Sequence, residues 1–201
     1  MKNIWLVRHC ESMANAGYVT ADSAGIQLTE LGQKQARLLP QSFDKAPNLI
    51  VTSPFVRTKQ SSIYVREKFS NVPHEEWAVQ EFSYLSFKNY ANTSTTQRQP
   101  AVKEYWDRCD PTYCDGDGAE SFLDLINRIN ITIDKIKERT ENFIVIFTHG
   151  QFMKTFLWNL KNPKSLQMKS MKSFMSFMNE INIDNGSIFK FKLLENSKWE
   201  I

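Results

Sequence analysis

The chain has 201 residues, 41% hydrophobic and 23% charged, a composition typical of a globular domain rather than of a fibrous or disordered protein. Its formal net charge of +3 is small and its lysines are dispersed, which argues against nucleic acid as a partner. No apolar run is long enough for a signal peptide or a bilayer span, and three irregularly spaced cysteines fit reduced thiols. We therefore predict a cytoplasmic protein without a membrane partner and leave its oligomeric state open.

The first half of the chain alternates short apolar runs with amphipathic segments. Ile4 to Val7 is a continuous apolar run, as expected for a strand covered on both faces, and Leu49 to Thr52 repeats that pattern. Between them, the stretch "LTELGQKQARLL" predicts a helix with Thr29 as its N-cap, although Gly32 weakens the first turn. A proline after the second strand fits the start of another helix over Phe55 to Phe69.

The second half continues the alternation. We predict a third strand over Trp77 to Gln80, and the strongest strand over Phe143 to Phe147, which leads into a further helix. A turn at Asn185-Gly186 between two β-rich runs predicts an antiparallel hairpin or edge strand near the end of the chain. A core helix begins at Phe122, because six apolar residues share one helical face: Phe122, Leu125, Ile126, Ile129, Ile133 and Ile136.

This order of elements predicts an α/β fold, a three-layer α/β/α sandwich with a mostly parallel central sheet. We expect one domain over residues 1–201. Residues 82–118 are irregular and rich in aromatic side chains, and we interpret them as a small helical, lid-like insertion over the active site at the carboxyl edge of the sheet. Packing within that insertion explains its aromatic residues more simply than stacking on a substrate. The Met-rich segment from Met168 to Met178 fits a core, lid or interface role.

The spacing around the cysteines excludes cysteine-dependent phosphatase chemistry. Such enzymes need an arginine six positions after the nucleophile, but Ala16 stands at that distance from Cys10. Asp115 and Glu120 stand there for the other two cysteines. We interpret Cys10 as a small residue in a tight loop.

Metal and nucleotide motifs also fail. The segment "HEEWA" at His74 begins like the zinc pattern HExxH, but Ala78 replaces the second histidine. The acidic run "DGDGAE" lacks the register of a calcium loop, because Glu120 stands where glycine is required. No glycine-rich phosphate loop of the GxxxxGK[ST] type is present. We expect no metal site, and we interpret His74 as a surface or strand-edge residue.

Four polar side chains follow four predicted strands. His9 follows the first strand, Arg57 the second, Glu81 the third and His149 the strongest. Parallel strands would bring all four to one edge of the sheet, where α/β folds bind ligands. With Arg8 beside His9, this set predicts a cationic pocket suited to a dianionic phosphate.

These residue types fit phosphoryl transfer. A neutral imidazole can attack phosphorus to form a phosphohistidine, and nearby cations favour the neutral form. Arginines grip phosphate oxygens with a planar fork, and a protonated His149 would neutralise charge on the equatorial oxygens. Glu81 is the best-placed carboxyl group to protonate a leaving alcohol and then to activate water. This chemistry needs no metal and no cofactor.

The sequence resembles the histidine phosphatase superfamily, with its phosphoglycerate mutase-like fold, over nearly its whole length. The first family motif, Arg-His-Gly-Glu-(Ser/Thr) followed by Asn, matches "RHCES" and Asn15. The second-histidine motif matches "THG" at Thr148 to Gly150. Further matches are the "LTxxGxxQA" helix start at Leu28, Thr29, Gly32, Gln35 and Ala36, the "SxxxRxxQ" motif at Ser53, Arg57, Gln60 and Ser61, the acid segment "VQEF" and the late segment Asn185 to Ser187.

The resemblance implies a role for each matching residue. His9 would be the phosphorylated nucleophile. The phosphoryl group would be bound by Arg8, Arg57 and His149, with Asn15 and the backbone near Gly150 assisting in substrate binding. The segment "GAES", Gly118 to Ser121, also resembles a family segment, but a helix start explains it equally well.

Two positions depart from the family pattern. Cys10 replaces the usual glycine, which alters the allowed backbone angles and brings a thiol near the phosphate site. The acid segment around Glu81 lacks the Gly-Trp-Glu-Gly continuation common in the family, so the position of the acid rests on fewer matches.

The function predicted from the sequence is a metal-independent phosphomonoesterase of the histidine acid phosphatase type, acting on a small phosphorylated substrate or a phosphoprotein. A phosphoglycerate mutase is one alternative, since it uses the same centre but returns the phosphoryl group to another hydroxyl. A noncatalytic sensor of phosphorylated ligands is another. The sequence leaves the physiological substrate open.

Overall fold

The computed structural model describes residues 1–162 and 168–200 and contains one six-stranded sheet. The strand order is β3-β2-β4-β1-β5-β6, and the first four of these strands run parallel. Strands β5 and β6 are antiparallel to their neighbours. The strands are β1 (Lys2–Arg8), β2 (Leu49–Thr52), β3 (His74–Glu76), β4 (Phe143–Thr148), β5 (Ile188–Leu193) and β6 (Trp199–Glu200).

Helices cover both faces of the sheet, which confirms the predicted three-layer α/β fold. One apolar core joins the sheet to α5, α6 and α7, and a second core joins the opposite face to α1 and α2. The described helices are α1 (Glu30–Leu38), α2 (Val56–Lys68), α3 (Phe87–Tyr90), α4 (Thr95–Arg108), α5 (Phe122–Glu138), α6 (Gly150–Lys161) and α7 (Met168–Glu180), with a short 3₁₀ helix at Leu39–Ser42. The predicted apolar face of α5 is buried as expected.

The third strand lies earlier in the chain than the sequence predicted. Strand β3 is His74–Glu76, and the predicted strand over Trp77 to Gln80 is wrong. The ladder with β2 stops at the pair Thr52 and Glu76, because the chain of β2 leaves the sheet there. Trp77 and Val79 are nevertheless buried while Ala78 is exposed, so the segment mimics the alternation of a strand without a strand partner.

The C-terminal turn is flanked by a strand on one side only. Gly186 has a φ of +78°, a left-handed conformation that glycine adopts without a steric penalty. The run after it forms β5 and pairs antiparallel with β1, but Ile181 to Asp184 is not a strand, so no hairpin forms around Asn185-Gly186. The carbonyl oxygen of Ile183 instead accepts a hydrogen bond from Nη1 of Arg8. Strands β5 and β6 pair antiparallel at this edge of the sheet, so the predicted antiparallel C-terminal edge is confirmed, with its hairpin after β5 rather than around Asn185-Gly186.

Helix α1 begins as predicted, and its glycine has a tertiary role. The hydroxyl of Thr29 accepts a hydrogen bond from the backbone N–H of Gly32 over 3.0 Å, which is an N-cap. A Cβ at Gly32 would lie 2.0 Å from the carbonyl oxygen of Glu11. The glycine therefore lets the helix approach the loop that follows β1.

Residues 82–118 form two helices, α3 and α4, whose aromatic side chains serve two purposes. Tyr105 is 2% exposed and, with Trp106 and Tyr113, packs against the main core. Other aromatic residues of this segment line a cavity described below. The backbone of Thr93 is bridged to that of Thr20, with the N–H of Thr20 donating to the Thr93 carbonyl over 3.3 Å, so this segment is tied to the loop after β1.

Part of the Met-rich segment belongs to the core. Met171 and Phe174 on α7 are fully buried, and Phe177 and Met178 pack partly against the same core. The side chains of residues 163–170 lie outside the described part of the structure. None of the described helices is both long enough and apolar enough to cross a membrane.

Candidate active site

The two predicted site histidines meet because their strands are neighbours in register. Arg8, at the end of β1, pairs with Thr148, at the end of β4. The next residue of each strand is therefore a histidine at the same edge, and the ring centroids of His9 and His149 lie 5.0 Å apart. The parallel pairing of β1 with β4 thus places His9 and His149 side by side, although they are 140 positions apart in the sequence.

His9 is held as a neutral imidazole whose Nε2 is unprotonated and accepts a hydrogen bond from Arg57. It is 3% exposed, and its Nδ1 lies 2.7 Å from the carbonyl oxygen of Cys10. Since a carbonyl only accepts hydrogen bonds, Nδ1 carries the ring proton and Nε2 keeps its lone pair. Burial, and then the charge of Arg57, hold the pKa of His9 well below its ordinary value of 6.5. The ring is therefore an uncharged nucleophile at neutral pH.

Two arginines flank His9. Arg57, in the first turn of α2, is 6% exposed and donates from Nε to Nε2 of His9 over 3.3 Å and from Nη1 to the carbonyl oxygen of Ser23 over 2.7 Å. Arg8 donates from Nη1 to the carbonyl of Ile183, and its buried Nε has no hydrogen-bond partner among the residues that the structure describes. Burial lowers the pKa of Arg57 to about 10 and also lowers that of Arg8, and both remain cationic at neutral pH.

His149 lies behind His9 and is fully buried. Its Nε2 is 2.8 Å from the hydroxyl oxygen of Ser53, which in turn lies 2.8 Å from the hydroxyl oxygen of Thr58. Its Nδ1 is buried without a partner in the described part of the chain. Burial, and then the charge of Arg57, hold the pKa of His149 well below 6.5, so the ring is neutral before a ligand binds. A dianion beside it would favour protonation and turn Nδ1 into a donor.

Glu81 is anchored to the helix that follows His149. Its Oε1 accepts hydrogen bonds from the backbone N–H groups of Gln151 (3.0 Å), Phe152 (3.2 Å) and Phe82 (3.1 Å). Oε2 has one longer contact, 3.3 Å from the Gln151 nitrogen. The positive end of α6 thus holds one carboxyl oxygen, and Oε2 is the freer atom for proton transfer.

The structure brings the two expected assisting residues to the same region. Oδ1 of Asn15 accepts hydrogen bonds from the hydroxyl of Ser12 (2.9 Å) and from Nδ2 of Asn185 (3.1 Å). Asn185 also donates to the carbonyl oxygen of His9 over 2.9 Å, a support that the sequence analysis did not assign. A Cβ at Gly150 would lie 3.3 Å from Nε of Arg8, so this glycine leaves room for the guanidinium.

Cys10 is a packing residue in this structure. Its side chain is fully buried in the core formed with α1 and α2, and burial raises the pKa of its thiol to about 11. Its backbone N–H donates to the hydroxyl of Ser61 over 2.9 Å. Its φ is not positive, so the backbone here does not need the glycine that is usual in similar sequences.

Arg128 holds the segment that carries Glu81, a role that the sequence analysis missed. Its guanidinium forms a two-pronged ion pair with the carboxylate of Glu120, at 2.8 Å on each side. Its Nη1 also donates to the carbonyl oxygens of Ala78 (3.0 Å) and Gln80 (2.9 Å). Arg128 is a half-buried arginine on an amphipathic helix, and no sequence pattern distinguishes it from the other charged residues of α5. Ser121, the last residue of the "GAES" segment, caps α5 as a helix start requires.

A cavity of about 310 Å³ opens beside these residues. Its floor includes Arg8, His9, Arg57, Glu81 and Asn15. Its upper wall comes from the segment 82–118, through Tyr84, Leu85, Phe87, Tyr90, Arg98 and Val102. The volume is at the lower end of the range for small-molecule sites. In the part of the chain that is described, no cluster of three or more His, Cys, Asp or Glu side chains is arranged to hold a metal ion.

The fold and this site define an α/β protein with a cationic, histidine-containing pocket at the carboxyl ends of parallel strands. The sequence pattern of the histidine phosphatase superfamily (branch 1) matches residues 4–197. The chain therefore belongs to the histidine phosphatase superfamily. No curated protein gives a significant sequence match.

Solved structures with the same fold cover nearly the whole chain. One is a mycobacterial glucosyl-3-phosphoglycerate phosphatase in complex with VO3, which is 19% identical with a TM-score of 0.73, covering 100% of this chain and 96% of the other. Another is an alpha-ribazole phosphatase from Shigella flexneri, 19% identical with a TM-score of 0.73 over 96% and 91% of the two chains. A phosphoserine phosphatase mutant from Entamoeba histolytica, in complex with phosphoserine, is 20% identical with a TM-score of 0.72 over 98% and 93%.

Proposed function

We propose that this protein is a metal-independent phosphomonoesterase that works through a phosphohistidine at His9. The observation that carries the proposal is the state of His9, a neutral imidazole with its proton on Nδ1 and its Nε2 lone pair beside the cationic Arg57. Family membership and the phosphatase names of structurally similar proteins support the same reaction class.

The anion pocket supports binding of the phosphoryl group. Nε of Arg8 and Nδ1 of His149 are buried polar atoms without partners in residues 1–162 and 168–200, and such atoms are costly unless a ligand supplies hydrogen bonds. A phosphate dianion in the cavity offers an acceptor to Nε of Arg8 and counters the charges of Arg8 and Arg57, which line that cavity. His149 is fully buried beside His9 and is not among the lining residues, so its protonation in the complex would add a positive charge next to the reacting group.

The first chemical step transfers the phosphoryl group to the protein. The lone pair on Nε2 of His9 attacks phosphorus, and the bond from phosphorus to the ester oxygen breaks. A protonated Glu81 gives its proton from Oε2 to the departing alkoxide, which leaves as an alcohol. The positive charge that develops on the His9 ring is stabilised by the hydrogen bond from Nδ1–H to the carbonyl oxygen of Cys10.

The second step returns the protein to its starting state. The carboxylate of Glu81 takes a proton from a water molecule as that water attacks the phosphohistidine. The bond from nitrogen to phosphorus breaks, and the electron pair returns to Nε2 of His9. Inorganic phosphate leaves and Glu81 is again protonated.

The test is to trap the intermediate with radiolabelled 4-nitrophenyl phosphate. This substrate has a good leaving group, so Glu81→Gln is expected to slow the second step more than the first and to accumulate label on the protein. The label should be lost in acid and kept in alkali, as for a phosphoramidate. His9→Ala should abolish labelling and lower turnover at least about 1,000-fold, whereas the control His74→Ala, at an exposed strand residue, should not.

Three outcomes would contradict the proposal. Turnover by His9→Ala at the wild-type rate would exclude His9 as the nucleophile. Loss of activity with a chelator would exclude the metal-independent mechanism. Conversion of 3-phosphoglycerate to its 2-isomer without release of phosphate would identify a mutase instead.

A further inference from the structure

The upper wall of the cavity carries a third arginine that the phosphoryl chemistry does not use. Arg98 lies on α4, in the segment 82–118, and lines the cavity together with Arg8, His9 and Arg57. It reaches the cavity from a different element than Arg8, His9 and Arg57, so it is available to the part of a substrate that lies beyond the phosphoryl group.

Arg98 has hydrogen-bonding capacity to spare. Its Nη1 donates to the carbonyl oxygen of Thr93 over 2.8 Å and to the hydroxyl of Thr93 over 3.1 Å. Within residues 1–162 and 168–200, its Nε and Nη2 have no hydrogen-bond partner and no carboxylate pairs with it. By contrast, Arg108 on the same helix pairs with Glu104, and Arg128 pairs with Glu120.

The setting of Arg98 makes an unpaired cation costly. The side chain is half-buried, and its guanidinium lies over the ring of Phe87, 5.6 Å from the centroid. Burial lowers the pKa of this guanidinium, which reflects the cost of keeping its charge away from water. Tyr84 and Tyr90 line the same cavity, so the surroundings of Arg98 are aromatic, and Glu81, the one carboxyl group among the lining residues, forms no ion pair with it in the described part of the chain.

We propose that Arg98 binds a carboxylate on the leaving group of the substrate, so that the substrate class is small phosphate monoesters that also carry a carboxylate. This inference rests on the proposed phosphomonoesterase function and specifies its substrate. The two unpaired nitrogens, Nε and Nη2, form one edge of the planar fork that binds a carboxylate through both oxygens. The single positive charge of Arg98 balances the single negative charge of a carboxylate. A second phosphate group at this position would carry two negative charges, and one of them would have no counter-charge from Arg98.

The test compares phosphate esters that differ only in the carboxylate. One pair is glycerol 3-phosphate and 3-phosphoglycerate, and a longer, rigid pair is phenyl phosphate and 4-carboxyphenyl phosphate. In at least one pair, wild-type kcat/KM should favour the carboxylated ester by about 10- to 100-fold, as expected for one charge-assisted contact. Arg98→Gln should remove that preference, mainly through KM, and leave the other ester within about twofold, by the same reasoning.

The variants separate recognition from folding. Glutamine at position 98 keeps a polar N–H donor without the charge, and Arg108→Gln is the matched control on the same helix, away from the cavity. Melting temperatures of both variants are measured beside the kinetics. An equal loss on both members of each pair in Arg98→Gln would assign a structural role and overturn the proposal. The absence of any preference in the wild type would overturn it as well.

Ligand binding tests the role of Arg98 even if the protein proves not to be a phosphatase. If the wild type hydrolyses none of the four esters and no aryl phosphate, the phosphatase proposal fails. Calorimetric binding of glycerol 3-phosphate and 3-phosphoglycerate then decides the role of Arg98 independently. Tighter binding of 3-phosphoglycerate that is lost in Arg98→Gln supports the carboxylate site, and equal binding overturns it.

Discussion

The backbone N–H of Gln151 donates to Oε1 of Glu81 over 3.0 Å, which fastens the proposed acid to the first turn of α6. That helix begins immediately after His149, so the same turn positions the second histidine and the carboxyl group. Because Oε1 also accepts from Phe152 and Phe82, the orientation of the carboxyl group is set by three backbone donors. Rigid support of this kind suits a group that must deliver a proton in one direction.

Glu81→Gln should discriminate between leaving groups. The amide cannot protonate an alkoxide, so phosphorylation of His9 by an alkyl ester should slow by about 100- to 10,000-fold, while 4-nitrophenyl phosphate, whose leaving group needs no proton, should slow far less in that step. Single-turnover kinetics with both esters measure the difference. Glu76→Gln, at an exposed strand residue that pairs with Lys59, is the control and should change neither rate. An equal effect on both esters would rule out proton donation by Glu81.

Arg128→Met should give a weaker version of the same pattern. The side chain holds the carbonyl oxygens of Ala78 and Gln80, directly before Glu81, so its loss should shift the acid rather than the nucleophile. We expect alkyl ester turnover to fall by about 10- to 100-fold, as for a group misplaced by about 1 Å, with a smaller effect on aryl esters. Arg139→Met removes a comparable ion pair with Glu141 and serves as the control. Loss of both activities in parallel would mean that Arg128 acts on folding alone.

Cys10 should be chemically silent in the folded protein. Its thiol is fully buried with a pKa raised to about 11, whereas Cys114 is exposed. A thiol reagent at pH 7.5 should label Cys114 in the native protein and label Cys10 only after denaturant is added. Cys10→Gly should keep phosphatase activity within a few-fold and lower the free energy of unfolding by about 1–2 kcal/mol, through lost packing. Native labelling of Cys10 accompanied by inactivation would contradict its assignment as a packing residue.

The two buried histidines should make stability depend on pH. In the folded state the pKa values of His9 and His149 lie well below 6.5, whereas in the unfolded chain both side chains titrate near 6.5. Below that pH the unfolded state binds more protons, so the free energy of unfolding should fall as the pH is lowered. Each histidine contributes up to about 1.4 kcal/mol per pH unit.

Denaturant titrations between pH 5.5 and 7.5 measure this slope. His9→Asn removes one of the two groups and should reduce the slope by about half of the histidine contribution. Substitution of His74, whose pKa burial lowers less far, is the comparison and should reduce the slope less. An unchanged slope in His9→Asn would mean that His9 is protonated in the folded protein.

Local sequence patterns predicted most of the elements. The apolar runs at β1, β2 and β4 became buried strands, and the helical period from Phe122 became the buried face of α5. The third strand was misplaced because Trp77 and Val79 are buried alternately against the core although no strand pairs with them. A segment that is buried at alternate residues has the same apolar pattern in sequence whether or not it pairs with a strand. Here the outcome depends on where β2 ends, which the local sequence of residues 77–80 does not show.

The sequence by itself determined the strand ends on which the site residues stand, because apolar runs that stop at His9 and His149 can be read locally. It also carried the family motifs that span residues 4–197. Only the tertiary structure decided which of these groups touch. The register of β1 against β4 joins the two histidines, the turn of α6 receives Glu81, and Arg128 and Arg98 reach the site from helices that no motif marks. Such contacts depend on how distant elements pack, and each local pattern is compatible with many packings.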